Sequence, residues 1–128
     1  MNVGKVILFL LFLTSAAAEE KIWARITFYN PKESGGWVMA GQKGKNRQGY
    51  GVAAHPDFRF LTKIQIPALK GVLDKDDEFI IVDRGSAVTK KTAAKGRGYV
   101  FDVFTTKTGK EFKRFVKSMP EWGWVIVK

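Results

Sequence analysis

The stretch FIIVDRGSAVTKKTAAKGRGYVFDVF, Phe79 to Phe104, sets how the rest of the chain is read. It contains two short apolar strands, Phe79 to Val82 and Tyr99 to Phe104, joined by a basic, glycine-containing loop. Each strand carries one carboxylate in an unusual place. Asp83 closes the first, directly before Arg84-Gly85, and Asp102 sits inside the second between Phe101 and Val103. Aspartate is depleted from strands. Burying its charged form without partners costs several kcal/mol or shifts it toward the protonated form. A chain that writes YVFDVF must therefore either tie its aspartate into hydrogen bonds, as a carboxylate anchoring a loop, or use it as an acid. The residues alone leave both readings open.

Working outward, Ile22, Ala24, Ile26 and Phe28 alternate with Trp23, Arg25, Thr27 and Tyr29, the pattern of a half-buried strand, and Asn30-Pro31 ends it. Residues 32–49 read as a long loop with Gly35, Gly36, Gly41, Gly44 and Gly49 among basic residues; Trp37 lies in its one apolar island. Loops of that length are uncommon unless functional or disordered, and Trp37 is a candidate for stacking on a sugar ring. Short strands follow at Gly51 to His55, stopped by Pro56, at Lys63 to Ile66, stopped by Pro67, and at Glu78 to Val82. Phe112, Phe115, Val116 and Met119 have helical spacing within Thr108 to Met119, and Lys110, Lys113, Arg114 and Lys117 fall on the outer side. The last strand is Trp122 to Val127, with Trp122, Trp124 and Ile126 on one face, expected to be the core face. The expectation is mainly β: about six short strands and one short C-terminal helix, in a small barrel or sandwich.

The chain has 128 residues, enough for one domain. Lys5, the apolar run at residues 6–13 and Ala16-Ala17-Ala18 read as a secretory signal cut after Ala18. This leaves residues 19–128 as a single domain of about 110 residues, secreted or periplasmic. The apolar run is too short to span a bilayer as a stable helix, so no transmembrane segment is expected. The absence of cysteine excludes thiolate metal sites and cysteine nucleophiles, and one histidine, His55, excludes a two-histidine site. No metal or other cofactor is expected. A formal charge of +10, from 22 Lys and Arg against 12 Asp and Glu, favours polyanionic surroundings. For an exported protein the expected surroundings are anionic cell-wall polymer, anionic lipid headgroups or acidic glycans rather than nucleic acid, and the expected partner is peptidoglycan or another anionic cell-wall glycan. Lys90, Lys91, Lys95 and Arg97 would draw such a polymer in. A monomer is expected.

The order TFYNP, GVAAHP, IQIP, FIIVDRGSAV, GYVFDVF, then a helix and a valine-rich strand, resembles the three-aspartate (3D) domain. That domain belongs to the double-psi β-barrel group, with rare lipoprotein A-like domains, the expansins and the barrel of membrane-bound lytic transglycosylase A. The resemblance runs from Ile26 to Val127 and implies a small six-stranded double-psi β-barrel with one short C-terminal helix. It also implies lytic transglycosylase-like cleavage of peptidoglycan. The strand aspartate, here Asp102, would be the acid and base, with Asp83 beside it; Thr27, Tyr29, His55, Arg84 and Trp37 would bind substrate. The family's third aspartate, before a proline, is His55 in this chain, and the loop from Asp83 to Asp102 is longer and more basic than usual. The alternative is a non-catalytic polysaccharide-binding or wall-loosening module, as in expansins, with Asp102 a hydrogen-bonding group of the groove.

Overall fold

A computed structural model describes residues 19–32, 39–40, 44–73, 76–89 and 98–128. The expected signal, Trp37, and the basic residues Lys90, Lys91, Lys95 and Arg97 lie outside them. The strands are β1 (Glu20–Tyr29), β2 (Gly51–Ala53), β3 (Lys63–Gln65), β4 (Glu78–Asp83), β5 (Val100–Phe104) and β6 (Trp122–Val127). They close into one barrel in the order β1-β5-β2-β4-β3-β6. Closure leaves none of the six with a free edge. Two pairs, β1 with β5 and β2 with β4, are parallel and the rest antiparallel. This mixed barrel is compatible with the double-psi fold.

Alternation positions the core. Ala24, Ile26 and Phe28 of β1 turn inward to meet Val52, Ile64, Phe79, Ile81, Phe101, Val103 and Val125, all buried. Each such large apolar side chain contributes about 1.5–3 kcal/mol relative to exposure. The short helix α1 (Ser86–Thr89) was not legible in the sequence; its Val88 packs outside the barrel wall with Tyr29, Ala53, Val100 and Phe104 as a second, smaller core. Helix α2 (Gly109–Ser118) lies where periodicity predicts it. It rests Phe112, Phe115 and Met119 against the main core, the Phe115 ring edge-on to Phe28 at 4.9 Å, and exposes Lys110, Lys113, Arg114 and Lys117.

One face assignment is reversed. On β6 the core side carries Gly123 and Val125, while Trp124 is 43% exposed. The register explains it: β6 runs antiparallel to β1 with Gly123 opposite Ala24 and Trp124 opposite Trp23, and directly opposed residues share a face. Ala24 points inward, so Gly123 does too. A Cβ at Gly123 would come within 2.9 Å of the Ile26 Cδ1, so glycine leaves room for the isoleucine that a larger residue would displace.

Candidate functional site

The site forms on the outer face of the barrel, where four strands bring one row of residues side by side. Thr27 of β1 is opposite Asp102 of β5, Asp102 is opposite Ala53 of β2, and Ala53 is opposite Asp83 of β4. Neighbouring strands lie about 4.8 Å apart, so the two aspartates are two strand widths from each other with only an alanine side chain between. The register of β2 against β4 shifts between Val52 and Ala53; such an irregularity re-aims a side chain, and here it sets Asp83 beside the row. A cleft of about 410 Å³ opens over it, lined by Tyr29, Ala40, Ala53, Asp83, Arg84, Gly85, Ser86, Ala87 and Asp102.

Both carboxylates are nearly buried, with Asp83 7% and Asp102 8% exposed, and both accept hydrogen bonds. The Thr27 hydroxyl donates to Asp102 Oδ1 at 2.7 Å. The Tyr29 phenol donates to Asp83 Oδ2 at 2.9 Å, and the Arg84 backbone N–H donates to Asp83 Oδ1 at 2.8 Å. Behind Tyr29, Asn46 donates from Nδ2 to the phenol oxygen at 2.9 Å. Burial, then the nearby charge of Asp83 and the bond to it, push the Tyr29 phenol well above the ordinary tyrosine range, with a smaller push from Asp102 and an opposing effect from Asn46. The phenol is thus a fixed donor.

The Arg84 guanidinium donates to Phe58 O at 2.6 Å and Ala54 O at 3.2 Å, and its centre lies 4.1 Å from the Phe60 ring centroid. It straps the end of β4 to the segment after β2. Burial holds its pKa below the usual arginine value, against the raising effect of Asp83.

Of the residues singled out in the sequence, Asp83, Asp102, Tyr29 and Arg84 line one cleft and Thr27 supports Asp102. His55 is not among the described residues lining it. Its Nδ1 accepts from the Asp57 backbone N–H at 3.0 Å, and its ring lies 5.5 Å from that of Tyr99, whose hydroxyl donates to Asp57 Oδ2 at 2.6 Å. Tyr50, the aromatic residue that directly follows the long loop, has Arg47 over its ring, 4.2 Å from the centroid. Sequence reasoning missed Asn46 and Ala53. Asn46 stands in an aperiodic basic loop with nothing to mark it, and Ala53 matters only through its register. Among the described residues no group of three or more His, Asp or Glu converges as a metal site requires.

Tyr29 offers a direct check. A phenol whose folded pKa is raised releases its proton on unfolding above about pH 10, the ordinary tyrosine value. Stability is therefore undiminished below that pH and falls as pH rises beyond it. Tyr29→Phe should melt lower at pH 8, by about 1–3 kcal/mol for the lost buried hydrogen bonds, yet show a flatter decline between about pH 9.5 and 11. Melting temperatures across that range read both effects; parallel curves for the two proteins would contradict the buried phenol.

These features define a class: a closed six-stranded mixed barrel bearing two acidic side chains in an open outer-face cleft. Within that class, no family model matches the chain in a scan of protein families, and no curated protein matches it.

Proposed function

We propose that this is an exported protein acting on the glycan strands of peptidoglycan, as a lytic transglycosylase, with Asp102 as acid and then base. The observation that carries the reading is the convergence of Asp102 and Asp83 on one open cleft across Ala53. The motif order resembling the three-aspartate domain and a barrel compatible with the double-psi fold support it. The signal-like N-terminus supports export to the periplasm or outside.

Two-carboxylate glycosidases activate water or form a covalent intermediate; one acid suffices when the substrate supplies its own nucleophile. Asp102, protonated, gives its proton to the glycosidic oxygen between N-acetylmuramic acid and N-acetylglucosamine as the bond from C1 to that oxygen breaks. The carboxylate left behind takes the proton of the muramic C6 hydroxyl, and O6 closes on C1 to give the 1,6-anhydro product. One proton is donated and one recovered, and no water is consumed. A single positioned group acting in both directions meets the requirements of general acid–base catalysis. Thr27 holds Asp102 in place. Asp83, with both oxygens bonded to Tyr29 and the Arg84 backbone, orients rather than transfers protons.

Those same bonds favour a second reading, a polysaccharide-binding or wall-loosening module, in which the row is a fixed hydrogen-bonding surface. The discriminating experiment is incubation of purified residues 19–128 with peptidoglycan sacculi and mass spectrometry of the released material. Anhydro-muropeptides are expected. Binding without any release would select the second reading, and neither binding nor release would sink both.

A further inference from the structure

The outer face of β1 continues well beyond the cleft. Lys21, Trp23 and Arg25 precede Thr27 and Tyr29 on that face, and β6 sets Ile126, Trp124 and Trp122 opposite the first three. Trp23 is 52% and Trp124 43% exposed. The two rings meet edge to face with centroids 5.0 Å apart at 71°, and Lys21 Nζ lies 4.5 Å from the Trp124 centroid. The barrel core does not need them, since β1 and β6 fill it with Ala24, Ile26 and Val125 from their other face.

A second cleft, also about 410 Å³, is lined by β1 from Arg25 through Phe28 and by Phe112, Val116, Met119, Pro120 and Glu121 beside it. Thr27 joins the two clefts: it lines the second, and its hydroxyl donates to Asp102, which lines the first. Tryptophan pair, second cleft and carboxylate cleft therefore succeed one another along a single strand. At about 3.3 Å per residue, Trp23 is roughly 13 Å from Thr27 and roughly 20 Å from Tyr29.

We propose that this face is a track for an extended glycan strand, with Trp23 and Trp124 as a distal sugar platform and the cleft between α2 and β1 as an intermediate subsite. The proposal rests on the glycan reading above and adds that the substrate is polymeric and occupies several sugar units. The chemistry of the track favours a polysaccharide. Its surface sets two exposed indoles beside polar groups, Lys21, Arg25 and Thr27, as a sugar sets apolar C–H faces beside hydroxyls and amides, and tryptophan suits surfaces apolar on one side and wet on the other. Its charges are of both signs. Arg25 Nε is paired with Glu121 at 3.1 Å and Lys128 with Glu19 at 3.5 Å, and Lys21 stands over Trp124. Such a face complements a strand of mostly neutral units bearing scattered carboxylates and amines. An anionic lipid surface instead calls for clustered cations. Continuity with the carboxylate cleft sets the strand's direction.

The test uses Trp23→Gln, Trp124→Gln and the double variant in the full mature chain, with melting temperature confirming the fold. Co-sedimentation with purified sacculi measures polymer binding, and NMR titration with the soluble N-acetylglucosamine–N-acetylmuramic acid disaccharide measures binding at the carboxylate cleft. The double variant should lose about tenfold or more in sacculus affinity, equivalent to about 1.4 kcal/mol. The disaccharide shifts around Ala53 and Asp102 should be unchanged, and Trp23→Phe, which keeps a ring, should recover part of the loss. Sacculus binding equal to wild type in the double variant overturns the track and leaves the glycan reading standing. A wild type that binds neither sacculi nor disaccharide overturns both. Tryptophan-dependent sedimentation with phosphatidylglycerol vesicles and not with sacculi assigns the face to a lipid surface and overturns the track.

Discussion

Asp102→Asn should cut the release of anhydro-muropeptides from sacculi by about 10²–10⁴-fold, the usual contribution of a positioned acid–base group, and leave the protein folded. Asparagine matches the shape of aspartate and its side-chain oxygen still accepts from Thr27, which donates to Asp102 at 2.7 Å; what it cannot do is give up a proton and take one back. Activity and melting temperature measured on the same variant separate three cases. Loss of turnover with an unchanged or higher melting temperature fits the acid, because removing a group held for chemistry commonly stabilises. A wild type without turnover, with glycan affinity only modestly altered by the substitution, fits the binding module. A fall in stability of about 1–3 kcal/mol with turnover retained fits a carboxylate that serves only as a hydrogen-bond acceptor. Full-rate release by Asp102→Asn would remove Asp102 as the acid and the mechanism with it.

β1, β6 and α2 were legible because each is written in period, β4 and β5 because they are short apolar runs, and β2 and β3 because a proline stops each. The alternation of β1 runs from Ile22 to Tyr29, and Phe112, Phe115, Val116 and Met119 fall at helical spacing. The two aspartates were legible because they break that grammar, acidic groups in apolar runs. What the sequence did not disclose is what neighbours do to each other. β4 and β5 are successive in the chain yet do not pair with one another; β2 lies between them. Ala53 therefore separates Asp83 from Asp102, a relation set by register across the barrel that no local pattern encodes. The same limit explains β6. Its aromatic alternation looked like a core face, but the face is chosen by Ala24 through antiparallel register, and glycine at position 123 carries no hydropathy signal. His55 illustrates the opposite case: a polar residue placed by motif order beside the aspartates, which geometry pairs instead with Asp57 and Tyr99.

The second large effect is expected at a residue with no chemistry of its own. Gly51→Ala should destabilise the protein by about 2–6 kcal/mol, combining about 1–3 for overpacking a filled site with about 1–3 for a buried polar group left unsatisfied. For a domain of this size that lowers the melting temperature by roughly 10 °C or more. The cause is space rather than backbone conformation. Gly51 opens β2 and is buried, and a Cβ there would overlap the side-chain amide of Asn46. Asn46, 2% exposed, accepts from the Arg47 backbone N–H at 2.9 Å and donates to the Tyr29 phenol, which in turn donates to Asp83. One added methyl group would therefore loosen the support of a cleft carboxylate that it reaches only through Asn46 and Tyr29. Asn46→Ala alone should also destabilise, by leaving the phenol and the Arg47 amide without that partner. In the double variant the space vacated by Asn46 accepts the methyl group introduced by Gly51→Ala, so the costs should not add, with a coupling of about 1 kcal/mol or more between the sites. Chemical denaturation of the two single variants and the double one measures this. Strict additivity would mean that Asn46 does not fill the space over Gly51, and the chain from Asn46 through Tyr29 to Asp83 would lose its anchor.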